Sequence, residues 1–269
     1  MTISEVQKID NFQILKEIKS GKEAQTFLVN LEGEDYLLKV YKDNQNYSYN
    51  LYQPYLAEAR INKFYRKMVM SKSFRGKQYM SKLRTLREFK AIERNYKTIE
   101  NLDLLKSGNL TLNSEEIKIS LKKFTNLKEF INKKIAKIPK PIKAYENAIL
   151  MEFIGENRIP APRLADIRLA ENEKKIALES VLNTVIILFK NGVIHSDLSP
   201  FNILYHQNQS YIIDFPQVVD TKTNPNWKDF LDKDLENLAN YFDISKSEIL
   251  AYLSNYIDIN NQNLLDKDM

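Results

Sequence analysis

The forty residues from Ile176 to Phe215 constrain this chain more than any other stretch. Ile176, Val181, Leu182, Val185, Ile186 and Phe189 recur at helical spacing, and Gly192 stands where such a helix stops. Two short apolar runs follow, NILYH (202–206) and YIIDF (211–215), and the polar residues from His206 to Gln209 between them predict a hairpin. Asp197, Asn202 and Asp214 sit at the mouths of these runs, where charge beside a core is costly unless something compensates it. A hairpin brings its ends together, so the three side chains are expected to converge. Two carboxylates and an amide oxygen are hard donors, suited to a Mg2+ ion that phosphates partly hold. A carboxylate left off the ion can orient or deprotonate a hydroxyl.

Composition narrows the alternatives. With 269 residues, 43% of them hydrophobic and 28% charged, the chain can bury a sizeable core and reads as globular. It has no cysteine, which excludes disulfides, thiolate catalysis and Cys-ligated metals. The opening MTISEVQKIDNFQ lacks the order of a signal peptide, and no apolar run approaches the ~20 residues that span a bilayer. A cytoplasmic location and no membrane partner are therefore expected. The net charge of +5 is uneven: residues 60–94 carry twelve Lys or Arg against Glu88 and Glu93. This is either a solvated helix surface or a docking surface for a phosphate backbone or an acidic partner.

Upstream, residues 12–19, 24–30 and 35–41 read as strands, the last two joined by LEGE with Gly33 in the turn. SGKEA (20–24) turns between the first two. Lys39, inside the apolar run YLLKVY, calls for an anion, either a phosphate or a glutamate on a packed helix. The tyrosine-rich stretch after Lys42 has no clean period up to about residue 81, which marks it as functional or mobile. Leu83, Leu86, Phe89, Ile92 and Tyr96 then recur at helical spacing. Residues 101–137 are lysine-rich and read as helical around LKKFTNLKEFINKKI, with Pro139 and Pro141 as the stop. YENAILMEFI (145–154) reads as a buried strand, IPAPRL as an extended crossing, and WKDFLDKDLENLANYF as a helix with Phe230, Leu231, Leu235, Leu238 and Tyr241 in phase.

The order of these parts resembles the protein-kinase pattern of a strand lysine, a loop Asp with an Asn beyond it, and a second Asp. In detail it is similar to the RIO family of atypical serine/threonine protein kinases and ATPases, closest to the first subfamily and its prokaryotic relatives. SGKEA resembles the family's short phosphate loop, LLKVYK (37–42) its lysine strand, LMEFIG (150–155) its hinge and PAPRL (160–164) the segment after it. IHSDLSPFNILY and YIIDFPQVV resemble its catalytic and metal loops, and FLDKDLENLANYF its C-terminal helix. Pro200-Phe201 and the DFPQ form depart from the first subfamily.

The resemblance implies an α+β, two-lobed kinase-like fold. A small antiparallel-sheet lobe would span 1–150, with 101–137 as an insertion, and a mainly helical, truncated lobe 151–269. It implies ATP and Mg2+ (or Mn2+) as cofactors. Ser20, Gly21, Lys22, Lys39, Glu88, Met151, Glu152 and Ile154 would bind the nucleotide, with Glu93 the rival of Glu88 for pairing with Lys39. Asp197 would be the acid/base, Asn202 and Asp214 the metal ligands, and Asp214 a phosphoryl acceptor as well. Only 55 residues follow Asp214, too few for the usual peptide-holding helices, so an ATPase or autophosphorylating switch stands beside protein phosphorylation. A precursor of the small ribosomal subunit, or RNA, would be the partner of 60–94. Two alternatives remain: a small-molecule phosphotransferase of the aminoglycoside or choline kinase type, and a non-catalytic nucleotide-binding scaffold. His195 is read as bonding backbone in the loop, and His206 as a hairpin residue.

Overall fold

The structure, a computed structural model, describes residues 3–42, 64, 67, 71, 73–109, 121, 122, 124 and 127–259. The tyrosine-rich stretch after Lys42 lies almost wholly outside them, as do 110–120. The described residues form two compact units. One holds those up to Glu93 with Pro139–Ala161; the other holds those from Arg94 to Ile138 with those from Pro162 on. This division differs from a boundary at 150/151, because the hinge strand and the hairpin after it belong to the first unit and 94–138 to the second.

In the first unit, α1 (Ile3–Asp10) precedes β1 (Gln13–Ser20), β2 (Ala24–Leu31) and β3 (Glu34–Tyr41). Together with β4 (Pro141–Ala144) and β5 (Ala148–Glu152) they form an antiparallel sheet of order β1-β2-β3-β5-β4. Pro141, expected as a stop, begins the edge strand β4, a place where a missing N–H costs no ladder bond. Positive φ at Glu32 and Gly33 gives the two-residue turn that matches the twist of β2 and β3. A second such turn, Asn157-Arg158, joins β6 (Gly155–Glu156) to β7 (Ile159–Pro160). A Cβ on Gly155 would fall 2.2 Å from the Ile159 carbonyl oxygen, so only glycine fits there.

Alternation along β3 sorts its side chains. Leu38 and Val40 join Val29, Ala148, Leu150 and Tyr145 in a buried cluster that Val6 of α1 and Phe12 cover. Lys39 and Tyr41 point to the opposite face and are buried too. Helix α2 (Phe74–Lys106) presents Ser81, Arg84, Thr85, Glu88, Ala91 and Ile92 inward. The apolar spacing of the sequence gives the helix correctly but not its face: Leu86 is exposed, and Leu83 and Phe89 are only half-buried. Polar residues win the inward face because charged partners await them.

The second unit is built on α4 (Glu171–Lys190), buried without a break from Ser180 to Phe189. Around it lie α3 (Leu127–Ile131), β8 (Val193–Ile194) paired with β11 (Val219–Asp220), the hairpin β9 (Ile203–His206)–β10 (Gln209–Ile212), α5 (Trp227–Phe242) and α6 (Lys246–Ser254). Gly192, at φ +72°, ends α4, and Gln207-Asn208 makes another two-residue turn with both φ positive. The end of the expected insertion is core here. Ile135, Ala136 and Ile138 are buried, the Asn183 amide and Thr184 hydroxyl donate to the carbonyls of Lys134 (2.8 Å) and Ala136 (2.6 Å), and Lys137 bridges to Tyr211 of β10. Among the described residues no helix is long and apolar enough to cross a membrane.

A polar clasp fastens α1 to the sheet. The Asp10 carboxylate accepts from Lys143 Nζ at 2.6 Å and from the Tyr145 hydroxyl, and these bonds hold its carboxyl below the ordinary value of 3.8. Because the folded state favours ionised Asp10, its stabilisation is present above pH ~4 and is lost as pH falls through the lowered value. Asp10→Asn is expected to lower the urea-unfolding free energy by about 1 kcal/mol at pH 7, with the difference from wild type closing below pH ~4.

Candidate active site

Two clusters of sequence-selected residues form, one in each unit. In the first unit Lys39 Nζ lies 2.8 Å from Glu88 Oε1, with both side chains buried. Glu88, rather than Glu93 further along α2, is the residue that reaches Lys39. A buried pair of this kind is costly to form, but removing one partner costs more, because the other is left as an uncompensated charge. Tyr41 lines the same space: Lys39 Nζ is 5.2 Å and the Arg84 guanidinium 4.6 Å from its ring centroid. Arg84, one turn before Glu88 on α2, pairs with Glu23 of the β1–β2 turn at 2.5 Å. Ser20 ends β1, and Gly21 and Lys22 lead with Glu23 through that turn, closed by the Gly21 N–H on the Ala24 carbonyl at 2.9 Å.

Met151 and Glu152 end β5, and Ile154 follows, buried. The Glu152 N–H donates to the Lys140 carbonyl (2.8 Å), and the Ile154 carbonyl accepts from the Ala161 N–H (3.0 Å).

In the second unit the loop 195–202 and the start of 213–217 are bound through the backbone of Ile213. Its N–H donates to the Asn202 carbonyl at 3.0 Å, and its carbonyl accepts from His195 Nε2 at 3.1 Å. Both backbone groups of the residue before Asp214 are therefore committed to the loop carrying Asp197. The His195 ring also lies 4.7 Å from that of Phe215, the residue after Asp214, at a 57° tilt, so this histidine bonds backbone and packs within the loop. Asn202 donates from Nδ2 to the Asp197 carbonyl (2.8 Å) and to Asp197 Oδ2 (3.1 Å). Its amide nitrogen is spent on Asp197, which turns Oδ1 into the atom able to act as an oxygen ligand.

Ser196 (φ +66°) and Asp214 (φ +69°) both occupy the left-handed region without being glycine. Asp tolerates this conformation better than Ser does. Ser196 is held there by its N–H on Asp234 Oδ2 (2.8 Å) and by its hydroxyl on the Gln217 carbonyl.

Asp234 is the residue that sequence reasoning missed. It lies on the buried stripe of α5 with Leu231, Leu235 and Leu238, and accepts the N–H groups of Ser196 and Leu198 (2.7 Å), on either side of Asp197. Burial pushes its carboxyl up to about 8, opposed by the two N–H donors and aided by the charge of Asp197. The signal was present in the sequence, as a charged residue in phase with the leucines of an amphipathic helix. Asn237, one turn on, donates to the Leu198 carbonyl at 3.0 Å. Asp234→Ala should lower the unfolding free energy by about 3 kcal/mol, and Asp234→Asn, which keeps one acceptor, by about 1–2 kcal/mol. Urea denaturation checks the order, and the amide protons of Ser196 and Leu198 should exchange faster in both variants.

Comparison with known proteins identifies the family. The model of the RIO domain matches residues 70–253. The RIO-type serine/threonine-protein kinase Rio1 of Thermoplasma acidophilum is 34% identical over 121 residues, 45% of this chain and 61% of that protein. Its namesake from Haloferax volcanii is 36% identical over 121 residues, 45% of this chain and 40% of that protein. The human serine/threonine-protein kinase RIO1 is 34% identical over 105 residues, 39% of this chain and 18% of that protein. The matched stretches thus span less than two thirds of these relatives. The α+β, two-lobed kinase-like fold read from the sequence holds, and the chain belongs to the RIO domain family.

Proposed function

We propose that the protein transfers the terminal phosphoryl group of ATP as a RIO-type atypical serine/threonine protein kinase. The observation that carries this reading is the pair of hydrogen bonds that Ile213 makes, its N–H to the Asn202 carbonyl and its carbonyl to His195, which ties the residue before Asp214 to the loop that carries Asp197 and Asn202. The buried Lys39–Glu88 pair supplies, in the first unit, the oriented cation that phosphates need. Lys39 would neutralise α- and β-phosphate oxygens with Glu88 holding its ammonium in place, and the Ser20–Lys22 turn would line the phosphates. The Glu152 carbonyl and Ile154 N–H would read the adenine edge.

The donor set of Asp214 carboxylate and Asn202 Oδ1 fits Mg2+ or Mn2+, which take one or two carboxylates and complete their shell with phosphate and water. Such an ion would supply charge neutralisation at the transferring phosphoryl group. Asp197, its carboxylate steadied by Asn202 Nδ2, would orient the acceptor hydroxyl and take its proton as the new P–O bond forms and ADP leaves. Catalysis is then mostly positioning and electrostatics.

The acceptor would be a protein serine or threonine, as the names of the relatives suggest, or Asp214 itself in an autophosphorylating ATPase switch. A cytoplasmic precursor of the small ribosomal subunit or its RNA would be the partner of 60–94. Part of that segment lies outside the described residues; Arg75 and Lys90 of α2 are exposed cations within it.

The test is incubation with γ-labelled ATP and Mg2+, following free phosphate and label on the protein. Turnover is expected in the wild type and should fall by about 100-fold or more in Asp197→Ala and Asp214→Ala. Undiminished turnover in Asp197→Ala would overturn the catalytic assignment. ATP binding without turnover in any form would favour a scaffold, and transfer to an aminoglycoside or choline rather than to protein would favour the small-molecule phosphotransferase.

A further inference from the structure

Lys42 directly follows β3 and belongs to none of the residues assigned above to the nucleotide. Its ammonium donates to Ser20 Oγ at 2.8 Å and to the Gly21 carbonyl at 2.9 Å, and its own N–H donates to the Glu23 carbonyl at 2.9 Å. The turn from Ser20 to Glu23 is therefore gripped along one side by a single residue of the neighbouring chain segment. Arg84 of α2 holds it from another, through the Glu23 carboxylate. The turn is also narrow, since a Cβ on Gly21 would lie 3.3 Å from the Ala24 carbonyl oxygen.

A loop that receives phosphates through its N–H groups must hold those groups in one arrangement, and any ordering left until binding subtracts from affinity. This turn contains one glycine, Gly21, so its shape is set less by close packing of successive glycines than by what grips it. The two Lys42 bonds go to a side-chain oxygen and a carbonyl and so take none of the turn's N–H groups, of which that of Gly21 closes on the Ala24 carbonyl, and they add positive charge beside the turn. We propose that Lys42 is a positioning residue for polyphosphate binding: it fixes the Ser20–Lys22 turn before the nucleotide arrives. This rests on the nucleotide-site reading above and assigns Lys42 to the phosphates alone, with no part in holding the base.

Calorimetric titration of the full chain with ATP–Mg2+ and, separately, with adenosine tests this in wild type, Lys42→Met and Lys42→Arg. ATP affinity is expected to fall by about tenfold in Lys42→Met, with adenosine affinity unchanged. Lys42→Arg, which keeps the charge and several donors, should recover most of the loss. Equal weakening of ATP and adenosine would mean a general structural role and overturn the proposal, as would ATP affinity that is unchanged in Lys42→Met. An arginine variant as weak as the methionine one would also overturn it, since charge and donors would not be what the turn uses. If the wild type binds neither ligand, the nucleotide-site reading itself fails, and Lys42's role with it. If the wild type binds both and Lys42→Met matches it, Lys42 alone is excluded.

Discussion

The first unit is organised around one expensive contact, the buried ion pair of Lys39 and Glu88. An ammonium inside a sheet has to be answered by an anion at hydrogen-bond distance, and the only way to deliver Glu88 is to turn a polar face of α2 inward. Thr85 and Ser81 come with it, and Arg84 is drawn in beside Tyr41 and answered in turn by Glu23. Apolar burial is shared by both faces of the sheet: Leu28 and Ile149 are buried on the Lys39 side, and on the other α1 closes over Leu38, Val40 and Leu150. The ion pair thus occupies one face of β3, and the two-residue period of the strand keeps it off the other.

The second unit meets a different difficulty. Its two carboxylates sit on irregular chain and its amide at the end of a single 3-10 turn, where few backbone groups have a ladder or helix to satisfy them. The solution is to borrow partners from regular elements on either side. Asp234 reaches out of α5 to take two N–H groups of the loop, and Ile213, at the end of the β9–β10 hairpin, gives it one N–H and one carbonyl. Asp197 is consequently placed by neighbours whose own positions are set by a helix core and a strand pair. Rigidity reaches the loop from outside.

What was legible in the sequence follows from these two designs. Helices α4 and α5 were readable because their buried faces are mainly apolar and keep a 3.6-residue period, and the hairpins because Gly33 and the His206–Gln209 run mark their turns. The meeting of Asn202 with Asp197 was readable because a loop followed by a hairpin leaves them few other places to go. The inward face of α2 was hidden because ion pairs, which leave no hydrophobic period, decide it. Asp234 was hidden for the converse reason: the leucines around it made the helix look fully explained. Residues 134–138 were read with the lysine-rich stretch before them, and their burial depends on hydrogen bonds to Asn183 and Thr184 that no local pattern announces.

The left-handed backbone at Ser196 and Asp214 has a further meaning. Glycine would occupy either position with less strain, and a non-glycine residue there costs about 1–3 kcal/mol. A chain selected only for ease of folding would drift toward glycine at both. At Asp214 that exchange would delete the carboxylate, and at Ser196 it would delete the hydroxyl that binds Gln217 and free the backbone beside Asp197. The strain therefore works as a fixed operating expense of a prearranged loop. Relieving it would give a protein that is easier to fold and less able to hold its charged groups in place.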